Sequence, residues 1–300
     1  MITTSLIINL YFSFYPLRRG GKLPASAYSI QFLTIQNNFS IKGRGKLLIL
    51  HEINLDRNFE EIEIVPIADT HIGSPEHNSD KLQETIDYIL EKENRFAILN
   101  GDIMDCATIH SVSNSYESTL TPHGELKYAR KLFEPIKDRI LSVNMGNHER
   151  RIYRSDDIDL AEELAFSLDC FYQREGVLLK VTFGTKPNGK RRVYTIFHIH
   201  GFTGSRTVGG KANRLEKLRK IVVADLYIVS HTHQKINFSK SIFLPDLKNN
   251  TIQKIQQTFI NTGAYLNYGG YGEFKAYDPT ELGSPIAKLD AKKKNIKVIS

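Results

Sequence analysis

The chain has 300 residues, 41% hydrophobic and 24% charged, and its 40 Lys and Arg against 33 Asp and Glu give a formal charge of +7. Those proportions exclude a disordered, collagenous or coiled-coil chain, and the length allows one substantial core with decoration. Two cysteines, Cys106 and Cys170, are too few for a disulfide framework or a thiolate cluster. A bound metal would therefore be held by oxygen and imidazole nitrogen, and a reducing, cytoplasmic setting is expected. The net charge suits a polyanionic partner and ordinary solubility equally.

Leu6 to Leu17 is apolar and is followed by Arg18 and Arg19, but Asn9 and Ser13 interrupt it. It is shorter than the roughly 20 residues a spanning helix needs, and no basic residue precedes it as in a signal peptide, so no membrane association is expected. Gly20 to Gly45 is rich in Gly, Ser, Asn and Gln without a sustained period. Residues 1–46 read as an N-terminal extension, either a loosely ordered tail or sequence upstream of the true start, and residues 47–300 as the catalytic unit.

Glu61 to Ala68 is rich in β-branched residues and reads as a strand, which puts Asp69 and His71 just past its end. Ser79 then opens a helix with Leu82, Ile86, Ile89 and Leu90 at helical spacing, and Arg95 to Leu99 is the next strand, ending at Asn100-Gly101-Asp102. This is a β-α-β unit, with its two strands expected parallel. The alternation repeats. Pro122 opens a helix carrying Leu126, Ala129, Leu132, Phe133 and Ile136, and Ile140 to Val143 leads to Gly146-Asn147-His148. A further helix is expected over Asp157 to Leu168. Strands follow at Val177 to Phe183 and Arg192 to His198, joined through the turn Lys186-Pro187-Asn188-Gly189. Lys211 to Val222 reads as a helix and Leu226 to Val229 as a strand ending at Ser230-His231-Thr232-His233. After Ile236, segments rich in Gly and Tyr suggest a closing antiparallel sheet. The polar clusters all follow strands, and α/β proteins place their ligand sites beyond the carboxyl ends of strands, so the clusters can converge.

In order, the clusters are Asp69-Thr70-His71, Gly101-Asp102-Ile103-Met104-Asp105, Gly146-Asn147-His148-Glu149, His198-Ile199-His200-Gly201 and Ser230-His231-Thr232-His233. A set of carboxylates, imidazoles and an amide without thiolates suits Mn, Fe or Zn, and two such ions about 3.5 to 4 Å apart can clamp a phosphoryl oxygen. The five clusters resemble the D-x-H, GD-x-x-D, GNH[D/E], His-Gly and GH-x-H signatures of the calcineurin-like metallophosphoesterase superfamily, over roughly residues 47–240. The resemblance implies an α/β fold, a metallophosphoesterase-type β-sandwich flanked by helices and built from β-α-β units. It also implies hydrolysis of a phosphoester by hydroxide held between two divalent metal ions.

By the same resemblance Asp102 bridges the ions. Asp69, His71 and His233 complete one shell, and Asn147, His200 and His231 the other. His148 is the non-ligand histidine that assists the leaving group, and Asp105 orients it. His198 and His200 lie two apart on one strand face, so either could point at the metals. The resemblance favours His200, which directly precedes Gly, with His198 behind it. Two departures stand out: Ser230 replaces the usual Gly, and GDIMDCA lacks the Arg-Gly that binds phosphate in protein Ser/Thr phosphatases, although Glu149 is typical of that branch.

The Gly-rich segment after His200 and the basic helix behind it resemble phage and prophage members of the superfamily. Lys211 is followed by Ala, so the segment is not a nucleotide-binding P-loop. Arg150, Arg206, Lys211 and Arg214 are the expected substrate contacts, with Arg151 and Arg154 adding charge. A phosphodiesterase or nuclease is the leading expectation. A phosphomonoesterase, or a non-catalytic interaction module of the same fold, is the alternative.

Overall fold

The computed structural model describes residues 48–109, 111, 115–201, 205, 207–276, 278–279 and 281–300. The expected extension at 1–46, and Arg206, lie outside the described residues. In chain order the elements are β1 (Leu50–Asn54), β2 (Glu61–Ile67), α1 (Ser79–Leu90), β3 (Arg95–Asn100), α2 (Pro122–Phe133), β4 (Ile140–Asn144), α3 (Glu149–Asp156) and α4 (Leu160–Ser167). They continue with β5 (Val177–Phe183), β6 (Arg192–Ile199), α5 (Val208–Glu216), β7 (Leu226–Val229), β8 (Ile236–Asp246), β9 (Thr251–Asn261), α6 (Gly270–Phe274), β10 (Ile286–Asp290) and β11 (Ile296–Ile299).

The strands form a five-stranded sheet, ordered β11-β10-β2-β3-β4, and a six-stranded sheet, ordered β1-β5-β6-β7-β9-β8. β2, β3 and β4 are parallel neighbours, as the β-α-β reading requires. Successive side chains of a strand point to opposite faces, so each of these strands feeds two cores. Ile62, Ile64, Phe96 and Ile98 pack with Val177, Leu179, Ile196 and Ile228 between the sheets. Val65, Ile67, Ala97 and Leu99 pack on the other face with Leu82 and Ile86 of α1 and Leu126 and Ala129 of α2. A smaller cluster joins Leu215 of α5 to Phe197, Tyr227 and Phe259. The protein is thus a mixed α/β fold in which helices flank two packed sheets.

The structure alters four expectations. β1 lies ahead of the first expected strand and pairs in parallel with β5. The helix expected over Asp157 to Leu168 is α4, capped by Asp159, which accepts a hydrogen bond from Glu162 N at 3.0 Å, but α3, which ends where Asp157 turns left-handed, is an additional helix ahead of it. The helix expected to reach Val222 ends as α5 at Glu216 and tightens into a 3-10 turn over Lys217–Lys220. The closing strands form no separate sheet: β8 and β9 extend one sheet, with β9 parallel to β7, while β10 and β11 extend the other. No helix among the described residues is long and apolar enough to cross a membrane.

Candidate metal centre and active site

The loops after β2 and β3 are laced together by their backbones. Asp69 N donates to Gly101 O at 3.1 Å, Thr70 N and His71 N donate to Asp102 O at 2.9 and 3.1 Å, and Asp105 N donates to Ile72 O at 2.9 Å. The loop after β4 closes on them through Gly146, where a Cβ would run into the backbone N and Oδ1 of Asp102. Buried Glu149 then brackets the junction: its Oε2 accepts from Asp102 N (3.1 Å) and Gly146 N (3.0 Å), and its Oε1 accepts from Met104 N (3.0 Å). Asp69, His71, Asp102, His231 and His233 all have positive φ, between 44° and 73°. Each such residue costs on the order of 1–3 kcal/mol, and this strain gathers where side chains are being aimed.

Both buried aspartates divide their oxygens in the same way. Asp69 Oδ2 accepts from His231 N at 2.9 Å, while Oδ1 is buried without a hydrogen bond, 3.2 Å from His233 Nε2. Asp102 Oδ1 accepts from His148 N at 2.8 Å, while Oδ2 lies 3.1 Å from His200 Nε2 and 4.0 Å from His71 Nε2. Asn147 Oδ1 lies 2.6 Å from His231 Nδ1 and 3.1 Å from His200 Nε2. Three compact donor groups result, Asp69-His71-His233, His71-Asp102-His148 and Asp102-His200-His231, each with one ligand atom per residue within 4.8 Å of the others.

This donor set fits divalent cations. The orphaned Asp69 Oδ1 and the facing Nε2 atoms of His71 and His233, 3.4 Å apart, point lone pairs at space that a cation would satisfy. The electrostatics agree. Burial opposes charge on His200, yet Asp102 and Asp69 outweigh it and push the ring up to about 10. Burial likewise opposes ionisation of Asp102, but His200, His148 and His71 hold it well below the usual carboxylate range. The two carboxylates thus favour positive charge at His200, whereas burial lowers His71 and His231.

His148 Nδ1 lies 2.8 Å from Asp105 O and 3.1 Å from Asp105 Oδ1, so its Nε2 is the nitrogen presented to the cluster, 3.9 Å from Asp102 Oδ2. Asp105 also holds His71 Nδ1 at 3.2 Å. Burial opposes charge on Asp105, and the bonds to His148 and His71 keep its carboxyl depressed all the same.

The two neighbouring histidines part company. His200 Nδ1 meets Asn100 O at 2.9 Å, and its Nε2 joins the donor group. His198 is bonded at both ends, Nδ1 to Asn100 Oδ1 at 2.8 Å and Nε2 to Ser142 Oγ at 2.7 Å, and burial pushes it down to about 3. Ser230, the residue in place of Gly, is part of the same network: its Oγ accepts from Asn100 Nδ2 at 2.6 Å.

A family model described as calcineurin-like phosphoesterase matches residues 62–235. The chain belongs to that family. It is a metal-dependent phosphoesterase, a hydrolase of phosphoric esters, and its two sheets with flanking helices are the fold of that family. Similar solved structures include a predicted phosphoesterase from Streptococcus pneumoniae TIGR4 (14% identity, TM-score 0.35, covering 80% of this chain and 90% of that one). Vacuolar protein sorting 29 from Cryptosporidium parvum is similar at 14% identity and TM-score 0.38, covering 80% and 96%. So is a metallophosphoesterase from Sphaerobacter thermophilus, at 14% identity and TM-score 0.36, covering 80% and 89%. Comparison with curated proteins returns no match.

Around the phosphoesterase site the expected substrate contacts scatter. Arg150 forms a two-pronged ion pair with Glu175, both contacts 3.0 Å. Lys211 Nζ reaches the loop of the last histidine pair, donating to Gln234 Oε1 at 2.8 Å and to Thr232 O at 3.4 Å. Arg214 is exposed on α5. Two roles escaped sequence reasoning, the bracket made by Glu149 and the second contact of Asp105. Arg151 is expected to bring charge to the mouth of the site, but not to make the contact it does, its Nη2 2.9 Å from His148 Nε2. That contact was within reach, since residues three apart share a helix face and α3 starts directly after His148.

Proposed function

We propose that this phosphoesterase is a phosphodiesterase of the nuclease type that works with two divalent cations, Mn, Fe or Zn. Asp102 is shared between them, with Asp69, His71 and His233 on one and Asn147, His200 and His231 on the other. The observation that carries this reading is Asp102 Oδ2, one oxygen within 3.1 Å of His200 Nε2 and 4.0 Å of His71 Nε2. A shared carboxylate needs that reach. When bound, the cations supply Lewis-acid charge at the phosphoryl oxygens and lower the pKa of water toward neutrality. His148, its Nδ1 held by Asp105, offers Nε2 to the departing ester oxygen as the proton donor.

We favour a diester over a monoester because Lys211 stands beside the last histidine pair and a basic run of chain follows it. Lys211 lies against the carbonyl between His231 and His233, and the chain after it carries Arg214 on α5 and Lys217, Arg219 and Lys220 in the following 3-10 turn. A polyanionic strand, nucleic acid above all, matches such a basic rim, and kinship with phage and prophage members belongs to the same proposal. A phosphomonoesterase gains no support from Glu149, because both its oxygens are occupied by backbone N–H groups.

The test is a substrate panel. Metal-stripped, Mn(II)-reloaded protein is assayed on aryl phosphomonoesters, aryl phosphodiesters, and single- and double-stranded DNA and RNA. Cleavage of diesters and of at least one nucleic acid, weakening steeply with salt, is expected. Hydrolysis confined to monoesters would overturn the diesterase assignment.

A further inference from the structure

Of the three arginines in the stretch Arg150-Arg151-Ile152-Tyr153-Arg154, one is turned toward the reacting centre. His148 stands at the N-cap position of α3, with helical φ and ψ of −72° and −51°, so Arg151 lies three residues on along the same face. Its Nη2 is 2.9 Å from His148 Nε2. Arg150 turns to Glu175, and Arg154 is exposed. Because Asp105 takes the other ring nitrogen, Nε2 is the atom of His148 that meets substrate, and it faces Asp102 Oδ2 at 3.9 Å.

We propose that Arg151 is a substrate-contact residue, binding an oxygen of the scissile phosphate beside His148. The proposal rests on the phosphoesterase site described above. Any ester oxygen that comes within hydrogen-bond distance of His148 Nε2 enters the space that the Arg151 guanidinium already borders. A guanidinium carries its N–H donors in a planar fork, so the one that faces the imidazole can turn to an anionic oxygen placed beside it. It keeps its charge at any working pH, and it binds phosphate in the planar, two-pronged way that a lysine cannot match. Arg151 sits half-buried on the first turn of α3, where water competes less for the phosphate than at an exposed side chain. Charge building on the departing oxygen is thus met by a proton donor and a fixed cation together.

Arg151→Ala, Arg151→Lys and Arg151→Gln would be compared with the unaltered Mn(II)-loaded protein in three measurements: metal content, binding of inorganic phosphate by calorimetry, and kcat/KM on bis(4-nitrophenyl) phosphate. Full metal content, phosphate affinity weakened about tenfold and kcat/KM reduced roughly 10²-fold in the Ala and Gln variants, with partial recovery in Lys, are expected. Phosphate affinity and kcat/KM within twofold of the unaltered protein would overturn the assignment. Loss of metal from folded Gln or Lys variants would also overturn it, making Arg151 a support of the site. If the unaltered protein hydrolyses no ester, the phosphoesterase reading fails separately, and the phosphate titration alone decides Arg151.

Discussion

His71 Nδ1 lies 3.2 Å from a carboxylate oxygen of Asp105. The same oxygen is 3.1 Å from His148 Nδ1, so one buried carboxylate orients both a proposed metal ligand and the proposed proton donor. Outer carboxylates of this kind are worth about 10–100-fold in metal affinity. Asp105→Ala is therefore expected to weaken metal binding by that order and to lower kcat as well, whereas His148→Ala lowers kcat with metal retained. Metal titration beside steady-state kinetics separates the two. An Asp105→Ala protein that keeps its metal affinity would confine Asp105 to His148.

The two histidines of β6 should separate cleanly. His198→Ala leaves Ser142 Oγ and Asn100 Oδ1 buried without this partner, at a cost of roughly 2–4 kcal/mol. Its metal affinity should change little. His200→Ala should do the opposite, losing metal while its metal-free form melts near the unaltered protein. Denaturant midpoints and metal analysis on both variants check this. Stronger metal loss from His198→Ala than from His200→Ala would reverse the assignment.

Glu149→Gln is a one-atom test of the bracket behind the site. Each carboxylate oxygen of Glu149 accepts a backbone N–H, so either orientation of the amide sets an NH2 group against a donor. The cost is about 1–3 kcal/mol, a melting temperature lower by about 5 °C, with weaker metal binding because the Asp102 backbone is one of the groups released. Unchanged melting and metal binding would show that the bracket is dispensable.

Binding of metal should release protons. With His200 pushed up to about 10 in the metal-free protein, its ring carries a proton at pH 7 that a cation must displace. The sign follows: apparent metal affinity rises with pH until the metal-free ring has lost its proton near pH 10, and falls as pH drops below that. Calorimetry of Mn(II) binding at pH 7 in buffers of different ionisation heat measures the protons released. Buffer-independent heats would contradict the Asp102–His200 pairing.

Much of this was legible from the sequence because strand ends and motif spacing are local signals. β2, β3 and β4 appear where alternation and apolar runs put them, and the polar residues after them converge as α/β geometry requires. β1 was not legible, since a short edge strand beside β5 carries only a weak pattern of its own. Nor was α3 legible, because eight mostly polar residues directly after His148 carry little apolar periodicity of their own. The direction of the arginines was the costliest gap. Arg150 and Arg151 are adjacent in sequence, yet one pairs with Glu175 and the other meets His148, and only the phase of α3 relative to His148 distinguishes them.

The most direct test of a shared two-cation centre is equilibrium binding of Mn(II) to the metal-stripped protein and to its Asp102→Asn variant, with hydrolysis of bis(4-nitrophenyl) phosphate followed in the same samples. Two equivalents bound by the unaltered chain, activity that appears only with metal, and loss of both equivalents and of activity in the variant are the expected result. Retention of two equivalents by Asp102→Asn, or full hydrolysis by the metal-free chain, would contradict it.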